Sequence, residues 1–299
     1  MSHRYFSGIM MIAGMLSVGA LAADNGDFDA CGLEQSAGCP AHIAQLAPPT
    51  EYRSGLLGPK DRRVQVPSDQ WPWSAVGRIN VVFGPSFRKS CTGTVIGSRQ
   101  VITAAHCLFN DRVNDWGKPE SMHFVVGQSG EKFLGHSVAE SFITDPQFKY
   151  RLEDRPKYDF IPFAMIKHDW AILTLRDALN VKPVPIRGIR NATLPTAGSA
   201  EEMALAGYGM DRQYVLSVHK GCTAKVDWPD AGTITHLCDS FHGESGGPIL
   251  LLHDGGAALI GVHSADSHRF EPQVGYQALA GHGASASGFE WAVGRLPKP

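Results

Sequence analysis

Beyond Trp71 the chain runs as a succession of short apolar stretches, each closed by Gly, Pro, Asn or Asp: SAVGRINVVFG, CTGTVIG, QVITAAHC, HFVVG, WAILTL, MALAGYG, GPILLL and ALIGVHSA. They are rich in Val and Ile, too short for helices, and spread along the rest of the chain. The expected fold is therefore all-β, a barrel or sandwich pair. No internal repeat is evident, and only Glu290-Trp291-Ala292-Val293 hints at a short helical turn.

A chain of 299 residues, 43% hydrophobic and 19% charged, has enough apolar material for one large core or two smaller ones. Disordered and fibrous classes are excluded on that ground. A formal charge of −2 with no block of like charges speaks against nucleic acid or an anionic membrane as partner.

His3 and Arg4 precede an apolar run from Phe6 to Leu21 that closes on Ala20-Leu21-Ala22. This pattern reads as a signal peptide over residues 1–22, and the run is too short for a membrane anchor. The expected location is secreted or periplasmic. Residues 23–63, rich in Ala, Gly and Pro, read as a pro-segment or N-terminal extension, and residues 64–299 as the folded domain. Lys60-Asp61-Arg62-Arg63 before Val64 is either a processing site or a solvated charge run.

Six cysteines in a chain bound for an oxidising compartment point to disulfides, and proximity in sequence suggests Cys31–Cys39, Cys91–Cys107 and Cys222–Cys238. Metal ligation is not expected, because neither C-x2-C nor H-E-x-x-H occurs and the 13 histidines are scattered. No cofactor is expected either.

Three features remain with chemical content. Ser245, in HGESGGPIL, sits among three glycines with Glu244 directly before it, which fits either a tight turn or an exposed nucleophile. His106 closes the strand-like segment VITAAHC, a setting that serves a structural histidine as well as a base. Asp169 stands at the mouth of the apolar run WAILTL, where a carboxylate needs hydrogen-bond partners to be tolerated.

TAAHC, HDWAIL and GESGGP, in that order, resemble the catalytic segments of the chymotrypsin-like (trypsin-like) serine peptidases, whose triad runs His, Asp, Ser. The resemblance covers residues 64–299, with Trp71-Pro72-Trp73-Ser74 and Ala206-Gly207-Tyr208-Gly209 similar to strands of the first and second barrels. SAVGRI, DWAIL and the Cys222–Cys238 spacing look closest to the bacterial glutamyl-endopeptidase-like branch. The resemblance implies two packed antiparallel six-stranded β-barrels with the active site in the cleft between them. It also implies a serine endopeptidase, working as a monomer on protein or peptide substrates. Ser245 would be the nucleophile, His106 the base and Asp169 its orienting acid, with the N–H groups of Gly243 and Ser245 as oxyanion hole.

By the same resemblance Asp239 falls at the base of the S1 pocket, implying Lys or Arg at P1, whereas His263 with Ser240 implies Glu. Ser264 and Asp266 complete the expected substrate-binding set. A freed Val64 ammonium is expected to pair with Glu244 if the chain is cut after Arg63. Two alternatives are a non-catalytic binding protein on the same fold and an esterase. In the latter, G-x-S-x-G is followed by acid and histidine, for which only 54 residues remain.

Overall fold

The computed structural model describes residues 55–149, 161–189, 194–195, 199–227, 232–271 and 275–295. The expected signal peptide, most of the extension and the Cys31–Cys39 pair lie outside them. The first half carries β1 (Val64–Gln65), β2 (Val76–Gly84), β3 (Phe87–Val95), β4 (Gln100–Thr103), β5 (Phe109–Asn110), β6 (Asp115–Trp116), β7 (Met122–Val126), β8 (Gly135–Thr144) and β9 (Ala171–Leu175). The second carries β10 (Glu202–Gly207), β11 (Ser217–Lys220), β12 (Ala224–Asp227), β13 (Thr233–His236), β14 (Pro248–His253), β15 (Gly256–Glu271) and β16 (Gly275–Ser285). A helix, α1 (Phe163–Ile166), leads toward β9, and α2 (Ala286–Val293) follows β16.

Strands β2-β3-β4-β9-β8-β7 close an antiparallel barrel, as expected. The other half is an eight-stranded sheet in the order β1-β11-β10-β14-β15-β16-β13-β12, where six strands were expected. Part of the difference is β1, which precedes the first barrel in sequence but pairs with β11 in the second half.

Alternation along the strands explains the continuous apolar runs. In β10, Met203 and Leu205 enter one buried cluster, whereas Ala204 and Ala206 enter the other. In β14, Ile249 and Leu251 part from Leu250 in the same way. A strand buried on both faces has no polar side to display. The helical hint at the C-terminus is seen as α2, capped by the Ser285 hydroxyl, which accepts the Ser287 N–H. Its Phe289 packs against Trp170 at 5.9 Å between ring centroids, beside the start of β9.

Candidate active site

Register brings His106 and Asp169 together. Thr103, the last residue of β4, lies opposite Ala171, the first of β9. His106 sits on the helical turn Ala105–Leu108 just past β4, and Asp169 stands two residues before β9. Asp169 Oδ1 accepts the His106 backbone N–H at 2.8 Å, and Oδ2 accepts His106 Nδ1–H at 2.7 Å. Ser264 Oγ donates to the same Oδ2. Burial works to raise the Asp169 carboxyl, but His106 and Ser264 outweigh it and hold it below the usual carboxylate range. With Nδ1 carrying the proton, His106 keeps a lone pair on Nε2.

Ser245 lies on the turn before β14, held at its main chain by the first barrel. Thr92 in β3 donates its N–H to Ser245 O at 2.8 Å and its hydroxyl to Gly243 O at 2.9 Å, and it accepts the Tyr208 N–H at 2.9 Å. Cys107 Sγ lies 3.7 Å from Ser245 O and 3.8 Å from His106 Nε2, so one disulfide sulfur touches both segments. Gly246 has φ +81°, and a Cβ there would meet Thr103 Oγ1 at 2.1 Å. Gly243 has φ +95°, and its Cβ would meet Tyr208 O at 2.7 Å. The glycines therefore serve both conformation and close approach. The N–H groups of Glu244, Gly246 and Gly247 go to main-chain carbonyls, while among the described residues no acceptor takes those of Gly243 or Ser245.

The expected S1 residues divide. Asp239 is fully buried, and its two oxygens receive Leu57 N–H (2.9 Å), Arg62 N–H (2.8 Å), Arg62 Nε (3.0 Å) and Arg62 Nη2 (2.6 Å). Burial raises this carboxyl, and the Arg62 and Leu57 donors more than reverse the effect. The carboxylate expected at the pocket floor is thus already neutralised from within the chain. Asp266 is bound differently: both its oxygens lie 2.9 Å from the Ser240 hydroxyl, and Oδ1 is 3.9 Å from His263 Nε2. Gly55 packs on this face, its carbonyl accepting Ser240 N–H at 3.1 Å and its backbone so close that a Cβ would meet Ser240 Oγ at 2.1 Å.

Behind His263 lies a histidine relay that the sequence reading did not find. Cys238 N–H donates to His236 Nδ1 at 3.3 Å, which leaves the proton of neutral His236 on Nε2, 3.1 Å from His263 Nδ1. His263 then carries its own proton on Nε2, toward Asp266. Burial lowers the proton affinity of His236, His263 and His282, keeping the relay neutral. Room for the His236 ring comes from Gly281, where a Cβ would lie 2.1 Å from it.

In the uncut chain Glu244 is paired with the guanidinium of Arg63 at 2.7 Å. Two of the expected disulfides, Cys91–Cys107 and Cys222–Cys238, are formed. The cluster Cys91, His106 and Cys107 therefore offers no thiolates to a metal.

A closed barrel and a second sheet that meet at Thr92, with His106, Asp169 and Ser245 gathered at that seam, have the architecture of the chymotrypsin-like peptidases. The chain belongs to the trypsin family, whose model, described as Trypsin, matches residues 62–277. It is similar to the proclotting enzyme of Tachypleus tridentatus (22% identity, over 67% of this chain and 57% of that protein). It is also similar to CLIP domain-containing serine protease B9 of Anopheles gambiae (27% identity, 62% and 51%). The chain thus spans little more than half the length of these relatives. Among solved structures it resembles a Glu endopeptidase in complex with MPD at a TM-score of 0.56 (19% identity, 79% of this chain and 98% of that one). The VesB protease of Vibrio cholerae aligns at a TM-score of 0.53 (17% identity, 78% and 66%). At these identities the structural likeness concerns the fold. Among the described residues no helix is long and apolar enough to cross a membrane.

Proposed function

We propose that the chain is a secreted or periplasmic serine endopeptidase that cleaves protein or peptide substrates through an acyl-enzyme on Ser245. The observation that carries this reading is the buried Asp169 carboxylate, which receives both the backbone and the ring of His106 beside the glycine-framed Ser245. In this mechanism His106 Nε2 takes the Ser245 proton as the hydroxyl attacks the scissile carbonyl, and later delivers it to the leaving amine. Asp169 holds the imidazole tautomer and stabilises the imidazolium. The Gly243 and Ser245 N–H groups receive the developing oxyanion. Export is supported by the apolar N-terminal run, and the disulfides accord with an oxidising compartment.

For P1, a Lys or Arg reading is supported by the Asp266 carboxylate beside Ser240 and no longer by Asp239, which is occupied by Arg62. A second reading, Glu at P1, is supported by the relay that directs the His263 Nε2–H toward the same face. Cleavage of unfolded casein by the purified protein tests the function. Activity lost on Ser245→Ala is the expected result, and an inactive, correctly disulfide-bonded wild type contradicts it.

A further inference from the structure

A buried guanidinium is tolerated only when its donors are met, and those of Arg63 are met completely. Its side chain is 1% exposed. Nε and Nη2 donate to Asp61 at 3.1 and 3.0 Å, and Nη1 donates to Glu244 at 2.7 Å and to Asp211 at 3.3 Å. A second Nη2 donor reaches Asp211 at 2.7 Å, and the Phe241 ring lies 5.3 Å from the guanidinium carbon. All five N–H donors of the fork are engaged. Arg212 closes the cage from outside, donating to Asp61 at 2.6 Å.

The place of this cage is as telling as its chemistry. Glu244 is 2% exposed and lies between Gly243 and Ser245, so its side chain anchors the turn that carries both unclaimed N–H groups. Gly209 allows the approach, because a Cβ there would lie 3.0 Å from Arg63 Nη1 and 3.1 Å from Glu244 Oε1. Val64 does not fill this position. It is paired with Val218 at the sheet edge, and 54% of it is exposed.

We propose that Arg63 is a positioning residue: a cation supplied by the intact chain that fixes Glu244, and through it the Gly243–Ser245 turn, so that the oxyanion hole is formed without a cut at Arg63–Val64. The proposal rests on the reading of Ser245 as nucleophile. It reverses the expectation that a freed Val64 ammonium does this work. An ammonium brings three donors from one point, whereas Asp61, Asp211 and Glu244 surround a planar fork.

A fluorophosphonate tests this directly, because it carries no P1 side chain and reports the nucleophile and oxyanion hole apart from the pocket. The full chain is labelled and its intact mass measured. The expected result is label on species that retain Arg63 joined to Val64. Arg63→Met should react at least about 100-fold more slowly, the scale of losing an oxyanion donor. Millimolar methylguanidinium should restore part of that rate in Arg63→Gly, with a rise in melting temperature no larger than its binding to the folded state accounts for. The proposal is overturned if label appears only on chains beginning at Val64, a result that needs no variant to fold. It is equally overturned if folded Arg63→Met labels within threefold of wild type. Absence of label on intact and cut chains alike would instead remove the peptidase reading on which the proposal rests.

Discussion

Arg62 grips Asp239 with its main chain and its side chain together, the guanidinium spanning both carboxylate oxygens at 3.0 and 2.6 Å. A carboxylate so engaged has little left to offer a substrate. Asp239→Asn is therefore expected to leave the ratio of Arg to Glu cleavage unchanged while lowering stability by about 1 kcal/mol, because the part-buried donors of Arg62 and Leu57 lose the charge and one of the two oxygens that receive them. Thermal melts and cleavage of paired peptides measure the two effects. A selective loss of Arg and Lys cleavage would restore Asp239 as the pocket floor.

Asp266 is the carboxylate that shares its face with Ser240 and His263. On the basic-P1 reading, Asp266→Asn lowers kcat/KM for Arg and Lys substrates about 10- to 150-fold, the equivalent of one charge-assisted contact of about 1.5–3 kcal/mol. If the variant instead cleaves Glu substrates faster with Arg cleavage intact, His263 is the recognising group and P1 is acidic.

Asp169→Asn should lower kcat about 10⁴-fold with KM little changed, because an amide no longer enforces the Nδ1–H tautomer of His106. Ser264→Ala removes a single donor to the buried carboxylate and should be far milder in turnover, appearing chiefly as a lower melting temperature. A drop below tenfold for Asp169→Asn would mean that another acid orients the base.

Much of this site could be read from the chain because its parts are local. TAAHC, HDWAIL and GESGGP each contain a strand end and the proposed catalytic side chain beside it, and β4–β9 register joins two of them. What escaped depends on contacts across great sequence distance. Arg63 lies 181 residues from Glu244 and Arg62 177 from Asp239, so the partners of the basic run before Val64 were not legible from its neighbours in sequence. Thr92 carries no motif, and its importance arises where β3 meets the Ser245 turn. His236 and His263 become a relay only when β13 and β15 are both paired with β16.

The relay gives stability a pH dependence of definite sign. Burial lowers the proton affinity of His236 and His263, so the folded chain stays neutral there while the unfolded chain takes up protons below its ordinary value of 6.5. Stability is complete above that value and falls as pH drops below it, by up to about 1.4 kcal/mol per pH unit for each histidine involved. His236→Gln should flatten the dependence of melting temperature on pH between about 7 and 5. An unchanged slope would remove His236 as its source.

The central claim is that Ser245 is a hydroxyl made nucleophilic by His106 and Asp169. Peptide mapping after fluorophosphonate treatment tests it most directly. The expected result is about one label per chain, on Ser245, absent in His106→Ala. Protein with Cys91–Cys107 and Cys222–Cys238 formed that takes no label, or takes it on another serine, would contradict the account.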